Sequence, residues 1–539
     1  MAASALFLLA WAALSALCNL RAPGPEPGPS VWFLLPNVDV TVLLCLFALL
    51  GWRNLRLPAW ALFLFALLGV FIRLFRTAEG LIELNYYRPL NLYLDLPLLP
   101  ELARLLYSTV PFSTLLIGGL AGLLGLVVAV FLTTLALAYC QRFLGAGSAH
   151  RTFFAVAIGV CLVLSPLWPT KQMSALHLGL FGQSVMPRFA KQVSFALAAD
   201  TLRHRKSSDI AATQRELGRI TTGLEALSHA DVFMFLVESY GATVFRRAEF
   251  KERAQLMVNG FEAALKQRDL HTATTLLDSS TYGGGSWLAH ATLATGVVIK
   301  DGLEFAVLRN TRPAPKTLAA YFRSAGYRTV LVQPGTTRAW PEGEVTGFER
   351  KYYARDFDYR GPAFGWATMP DQYVIDFIHR SEVAPAQRPL FIEYALVSSH
   401  APWNVQAPVV DDWSRLGDGS VYQDIQPLQY PVTWKNLGEG GDAYLASLAY
   451  DFEVLKRYIV AHAARNALFI VLGDHQPPAT LTGHDPSPAV PVHLISRDRA
   501  LIEAFAEDGY VPGMTPSATG AVAGLETFLP TFVGRISAQ

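Results

Sequence analysis

The sequence predicts an α-helical membrane domain of about five spans followed by a larger α/β domain. Three observations carry that expectation. Apolar residues make up 52% of the 539-residue chain against 16% charged, and the excess lies before residue 170. After residue 227 short apolar runs alternate with helix-like segments, and several of those runs end in residues with ligand chemistry. A net charge of +1 and the absence of any basic run interleaved with aromatics argue against nucleic acid as a partner. All the cysteines, Cys18, Cys45, Cys140 and Cys161, fall in the apolar part, so the polar half has neither a disulfide framework nor thiolate metal ligands.

The apolar stretches run over Ala3–Leu20, Val31–Trp52, Pro58–Phe75, Phe112–Cys140 and Thr152–Trp168, each near the roughly 20 residues that cross a bilayer as a helix. The first lacks the basic start of a signal peptide and reads as a retained anchor. The second is interrupted by Pro36, Asn37 and Asp39, which must face other helices or the interface. Arg53 and Arg56 in one short loop, and Arg142 and Arg151 in another, mark the same cytoplasmic side. Everything after Trp168 is then expected outside, although Arg73, Arg76, Arg88 and Arg104 on the external segment pull the other way.

Domain boundaries follow: a transmembrane domain over 1–168, an amphipathic connector over 169–227, and an extracytoplasmic domain over 228–539. In the connector, Phe195, Leu197 and Leu202 recur at helical spacing beside the basic Arg203, Arg205 and Lys206. In the last region, Asp231–Val237, Tyr327–Val332, Leu390–Val397, Ala467–Leu472 and Val490–Ile495 are short, nearly continuous apolar runs, as strands buried on both faces of a parallel sheet require. Lys316–Ser324 and Ala443–Ala464 are among the helix-like segments between them.

Ligands of such sheets sit outside the carboxyl ends of the strands, which directs attention to Glu238, His400, and the pair Asp474 and His475. A carboxylate emerging from an apolar strand is costly to bury unless a cation or donor meets it. Glu238, Asp474 and His475 together would supply oxygen and imidazole donors suited to Mn²⁺ or Zn²⁺. Taken singly, each also reads as an ordinary cap or loop residue. Ser286 follows Gly283-Gly284-Gly285 and precedes the helix-like Leu288–Thr295. Glycines let backbone approach a phosphate, and a Ser capping a helix stands where the dipole and free amides favour an anion. A nearby cation would stabilise its alkoxide. Ser280 and Thr281 are the competing hydroxyls, and a plain glycine turn with a Ser cap is the bland alternative.

Together, Val237-Glu238-Ser239-Tyr240, Gly284-Gly285-Ser286-Trp287, Ser398-Ser399-His400-Ala401-Pro402 and Leu472-Gly473-Asp474-His475 resemble the lipoteichoic acid synthase-like branch of the alkaline phosphatase superfamily, a group of sulfatase-like membrane proteins. The resemblance covers essentially the whole chain, and it implies an alkaline-phosphatase-like (sulfatase-like) α/β domain behind five membrane helices. It implies one divalent metal ion, Mn²⁺ in the first instance with Zn²⁺ or Mg²⁺ as alternatives, bound by Glu238, Asp474, His475 and Ser286, with Ser286 also the nucleophile. It implies that His400 contacts the transferred phosphate or protonates the leaving group, and that Gln333, Arg338 and Trp340 line the substrate site. Met369-Pro370-Asp371 and Tyr450-Asp451 match as structural elements.

The departures are informative too. Ser286 replaces the family's usual Thr, which keeps the hydroxyl but loosens its rotamer. Relatives that handle glycerol phosphate carry His where Gln333 stands and Arg where Glu342 stands; Trp340 is kept, and Arg338 would restore the positive charge. The formylglycine motif of true sulfatases, Cys/Ser-x-Pro-x-Arg, does not occur. The resemblance therefore implies a multi-pass enzyme of the bacterial inner membrane that moves a phosphoglycerol- or phosphoethanolamine-type head group from a membrane phospholipid donor to an envelope glycan or lipid-linked acceptor, through a covalent Ser intermediate. Its rivals are a phosphodiester or sulfatase-like hydrolase using the same site, and a catalytically inactive envelope scaffold.

Overall fold

The computed structural model describes residues 2–20, 36–145, 152, 155–157, 159–160, 184–338, 341–433, 436–483, 487–517 and 520–537. The chain forms two compact units, Met1–Leu84 with Arg88–Ala198, and Asn85–Tyr87 with Ala199–Gln539.

In the first unit, helices Ala2–Asn19, Ala59–Tyr86 and Phe112–Gly145 are long and apolar enough to cross a membrane, and Val38–Trp52 is a shorter apolar helix. The last of these starts later than the apolar run suggests because Asn37 caps it, its Oδ1 accepting from Asp39 N at 2.9 Å and Val40 N at 3.4 Å. Asn37 is itself satisfied inside the bundle, its backbone N donating to Ser15 Oγ at 3.0 Å and its side-chain amide to Asn19 Oδ1 at 2.8 Å. Ala59–Tyr86 continues past Phe75 with its buried charges paired: Glu79 meets Arg76 and Arg188, each at 2.5 Å. Phe7, Leu44, Phe47, Leu62, Ala66, Leu137 and Cys140 form the core of this unit. The first half of Phe112–Gly145 instead exposes Leu116, Ile117, Leu120, Leu123 and Leu124, a face suited to lipid. The loop Ala22–Ser30, Arg151 and most of the expected span Thr152–Trp168 lie outside the described residues. A helix over Met186–Gly218 crosses the division between the units, and Leu197 on it is exposed.

The second unit is built on a nine-stranded mixed sheet. In chain order the strands are β1 (Asp231–Val237), β2 (His271–Asp278), β3 (Arg328–Gln333), β4 (Arg350–Tyr353), β5 (Leu390–Ala395), the separate short pair β6 (Val405–Gln406) and β7 (Leu428–Gln429), β8 (Ala467–Gly473), β9 (Ala489–Ser496), β10 (Val511–Pro512) and β11 (Ala523–Gly524). The spatial order is β10-β2-β9-β8-β1-β5-β3-β4, with β11 beside β2. Each of the five apolar runs read from the sequence is a strand, and their burial on both faces explains their near-continuous hydrophobicity. Phe233, Phe235 and Val237 of β1 point into the core shared with helices Ala248–Lys266 and Gly441–Ala461, while Val232, Met234 and Leu236 point toward Ser286–Thr295, Leu318–Ser324 and Phe528–Ile536.

The sheet departs from the expected parallel arrangement at β9, which runs antiparallel to both β8 and β2, and at β10, antiparallel to β2. Antiparallel pairs on both sides of β9 make β2 run in the same direction as β8. Four strands of the sheet, β2, β4, β10 and β11, were not legible as apolar runs; the longest, β2, reads His-Thr-Ala-Thr-Thr-Leu-Leu-Asp, and its threonines are β-branched and buried but break the apolar run that signals a central strand.

Candidate active site

Strands β1 and β8 are parallel neighbours in a register that pairs Val237 with Gly473. The residues that follow them, Glu238 on one side and Asp474 and His475 on the other, are thereby set side by side at one rim. A ligand atom from each of Glu238, Asp474 and His475 falls within 4.8 Å of the others, and all three residues are buried. Gly473 permits this approach: a Cβ there would stand 1.8 Å from the Tyr240 carbonyl oxygen.

The turn after β1 is strained in the service of this cluster. Ser239 adopts φ of 59°, rare for a residue with a side chain, and is held by its amide donating to Asp474 Oδ1 at 2.8 Å and by Tyr444 Oη donating to its carbonyl at 2.8 Å. Its own hydroxyl donates to Glu238 Oε1 at 3.1 Å. Asp474 Oδ1 also accepts from the His475 amide at 2.7 Å, and Ser279 Oγ donates to the Asp474 carbonyl at 2.5 Å.

Strand β2 ends at the same rim and leads through Ser279 to the glycine loop. Gly283, Gly284 and Gly285 take φ of 70°, 146° and 80°, which turn the chain sharply into the helix Ser286–Thr295. Gly285 is the cap of this helix and Ser286 its first residue, one position on from the expected cap, because only a glycine takes the left-handed turn without strain. Ser286 Oγ donates to Glu238 Oε2 at 2.9 Å and lies 3.1 Å from His475 Nε2. The competing hydroxyls are engaged elsewhere or set apart: Ser280 Oγ accepts from Thr292 at 2.9 Å, and buried Thr281 Oγ1 has no hydrogen-bond partner among the described residues.

The electrostatics follow from this crowding. Burial alone would raise the Glu238 carboxyl, but the charge and hydrogen bond of His475, with smaller help from His400 and Ser286, hold it well below the usual carboxylate range. Burial would likewise lower the His475 imidazole, yet the Asp474 and Glu238 carboxylates raise it to about 9. The raised imidazole and the lowered Glu238 carboxyl thus favour opposite charges on this buried pair. Buried anionic oxygens that require a positive charge between them, joined by an imidazole nitrogen and a hydroxyl, are a donor set that fits a divalent cation such as Mn²⁺ or Zn²⁺.

His400 stands off from this cluster. Its ring stacks on Trp366 with centroids 3.7 Å apart, and its Nδ1 donates to the Ala401 carbonyl at 2.6 Å, while Nε2 makes no hydrogen bond among the described residues. The residues leading into it are held in place. Asp371 accepts from the Val397 amide at 2.9 Å and the Ser398 amide at 2.7 Å, and Ser399 Oγ donates to the Glu238 carbonyl at 2.9 Å. Burial pushes the Asp371 carboxyl up to about 6 against those amides, and burial together with the Asp371 charge pushes Asp451 well above its ordinary range. Gln333 ends β3 and is buried, its Oε1 without a partner among the described residues. Arg338 is exposed, and Trp340 lies outside the described residues.

Other residues at the rim went unread in the sequence. His290, one turn after Ser286 on the same helix, is buried with Nε2 3.8 Å from Asp474 Oδ2. Its spacing of four from Ser286 was the available signal. Within the sheet below that rim, Glu393, paired with Met234 on the face of β5 that carries Phe391, is pushed up to about 7 by burial, opposed by the nearby His290.

Residues 290–511 match the family model described as Sulfatase. The match takes in His400, Asp474 and His475 and begins after Glu238 and Ser286. Among solved structures the chain is similar to the lipoteichoic acid synthase LtaP from Listeria monocytogenes, at 10% identity over 62% of this chain and 78% of that one, with a TM-score of 0.37. It is also similar to the zinc complex of the C-terminal periplasmic domain of EcEptC from Escherichia coli, at 14% identity over 57% and 82%, TM-score 0.39. A third is the phosphoglycerol transferase GacH from Streptococcus pyogenes, in complex with sn-glycerol-1-phosphate, at 13% identity over 64% and 91%, TM-score 0.35. No curated protein matches the chain in sequence.

Proposed function

We propose that this chain, which carries a sulfatase-like domain of the alkaline phosphatase superfamily behind apolar membrane helices, is a metal-dependent transferase that moves a phospho-head-group from a membrane lipid to an envelope acceptor through Ser286. One observation carries the reading: Ser286 Oγ lies 2.9 Å from Glu238 Oε2 and 3.1 Å from His475 Nε2, inside the cluster that Asp474 completes. A nucleophile placed among would-be metal ligands is the arrangement that phosphoryl transfer through a covalent serine requires.

Glu238, Asp474 and His475 would hold the cation, with Ser286 as a further oxygen donor. When bound, the cation would supply Lewis acidity to the hydroxyl and to the phosphate oxygens. Glu238 Oε2 accepts the Ser286 hydrogen bond and so orients the hydroxyl. Attack forms the Ser286 Oγ–P bond and breaks the bond from phosphorus to the lipid alcohol, and the serine proton ends on that alcohol. With Nδ1 committed to the Ala401 carbonyl, His400 Nε2 is the atom free to meet the phosphate or the leaving oxygen. An acceptor hydroxyl then attacks phosphorus, breaks the Ser286 Oγ–P bond and returns its proton to the serine.

The helices of the first unit support transfer over free hydrolysis, because an anchor concentrates lipid donor and envelope acceptor beside the same site. The charge distribution of the short loops supports an extracytoplasmic, periplasmic position for the catalytic unit in a bacterial inner membrane. The transferred head group is of the phosphoglycerol or phosphoethanolamine type, and Gln333 and Arg338 would set the preference between them.

The test is direct. Detergent-purified full-length protein with Mn²⁺ is incubated with phosphatidylglycerol or phosphatidylethanolamine labelled in the head group, and the peptide containing Ser286 is analysed by mass spectrometry. A head-group phosphate adduct on Ser286 is expected with one of the two donors. An unmodified Ser286 with both, under conditions where diacylglycerol is released, would refute the covalent route.

A further inference from the structure

The indole against which His400 lies is carried on a tight turn. Phe364 and Ala367 exchange backbone hydrogen bonds, each amide donating to the other's carbonyl at 3.0 Å, and so close a turn with Gly365 and Trp366 at its tip. Gly365 takes φ of 60°, which the first position of such a turn favours, and a Cβ there would stand 3.1 Å from Asn404 Oδ1. Phe364 and Ala367 are buried, whereas Trp366 at the tip is half-buried. Thr368 Oγ1 donates to the Pro334 carbonyl at 2.7 Å, which ties the turn to the segment after β3.

The indole has two close neighbours. His400 stacks on it, with centroids 3.7 Å apart and planes 15° apart. Gly335 also approaches it, so closely that a Cβ there would come within 2.9 Å of Cη2 and 3.1 Å of Cζ3. The His400 ring is thus constrained twice: the stack fixes its plane, and the bond from Nδ1 to the Ala401 carbonyl at 2.6 Å fixes its rotation within that plane. A plane and one in-plane bond together determine where Nε2 points.

We propose that Trp366 is a positioning residue of the transfer reaction, its indole holding the plane of His400 so that Nε2 meets the phosphate or the leaving oxygen. The assignment depends on the role given to His400 above and deepens it. A group displaced by about 1 Å from its working position can lose on the order of a hundredfold in rate, so a ring free to tilt would be a poor partner for the reacting atoms. Phenylalanine at 366 would still offer a flat aromatic face, whereas leucine would fill space without one.

The experiment uses full-length protein in detergent with Mn²⁺ and follows diacylglycerol release from head-group-labelled phosphatidylglycerol and phosphatidylethanolamine. Trp366→Phe, Trp366→Leu and Gly335→Ala are each measured alone and combined with His400→Ala. Trp366→Leu and Gly335→Ala are expected to lower kcat about ten- to a hundredfold, with KM within about threefold of the wild type and metal content unchanged. Trp366→Phe should keep kcat within about threefold. In the His400→Ala background, Trp366→Leu should cost less than about twofold, because a residue that acts only through the imidazole has nothing left to act on. The same loss in both backgrounds, or wild-type turnover in Trp366→Leu, would overturn the assignment of Trp366 and leave the role of His400 standing. Wild-type turnover in His400→Ala would overturn both. Should Trp366→Leu fail to fold, Gly335→Ala displaces the indole without removing it and carries the same comparison in the two backgrounds.

Discussion

Val237 pairs with Gly473 across the parallel β1–β8 ladder, and this register sets Glu238 beside Asp474 although 235 residues separate Ser239 from its partner Asp474 along the chain. The site is assembled at that junction, with β2 delivering Ser286 from the far side of β9. Gly473 has no room for a side chain, its Cβ position lying 1.8 Å from the Tyr240 carbonyl. Gly473→Ala is expected to destabilise the domain by about 3 kcal/mol or more, read as a fall in melting temperature and loss of bound metal together.

Ser286→Ala removes the proposed nucleophile but leaves Glu238, Asp474 and His475 in place. Metal content measured by plasma mass spectrometry should stay near the wild-type level, while head-group transfer falls at least about 10³-fold. Full activity in this variant would move the nucleophile to Ser280 or Thr281.

The proton on His475 predicts how metal binding responds to pH. Its imidazole, raised to about 9 in the ion-free protein, must lose that proton before it can bind a cation. Affinity should therefore rise about tenfold per pH unit up to about 9 and level off above it. Calorimetric titration at pH 7.5 in two buffers of different ionisation enthalpy should report close to one proton released per metal bound.

Asp371 fixes the loop of His400 by accepting from the Val397 and Ser398 amides. Asp371→Asn turns an amide donor toward those donors and loosens the loop. The turnover number is expected to fall about ten- to a hundredfold, with metal content unchanged. A turnover number equal to the wild type would show that the loop is held without it.

Glu393 gives the fold a pH-dependent weakness. Its carboxyl is raised from 4.5 to about 7 by burial, so the folded state prefers the neutral form. The stability this contributes is complete below about 4.5 and is lost as pH rises through 7. Glu393→Gln should flatten the decline of melting temperature between pH 5 and pH 8, by an amount on the order of 2 kcal/mol. Identical profiles for the variant and the wild type would count against a buried neutral carboxyl there.

What could be read from the amino-acid order was whatever local composition encodes. The concentration of apolar residues before residue 170 separated the helical unit from the rest, and unbroken runs such as Phe233–Val237 and Leu468–Leu472 marked strands buried on both faces. Because ligands collect at strand ends, the same runs pointed to Glu238, Asp474 and His475, and the glycine triplet pointed to Ser286. Tertiary structure decided which strands are neighbours and in which direction they run. The reversal of β9, the strand β2 hidden by its threonines, and the cap at Gly285 all depend on pairing and backbone geometry that no short stretch specifies. Trp366 shows the reason most plainly: alone it is a tryptophan after a glycine, and it gains chemical meaning only where His400, brought in from another segment, stacks on it.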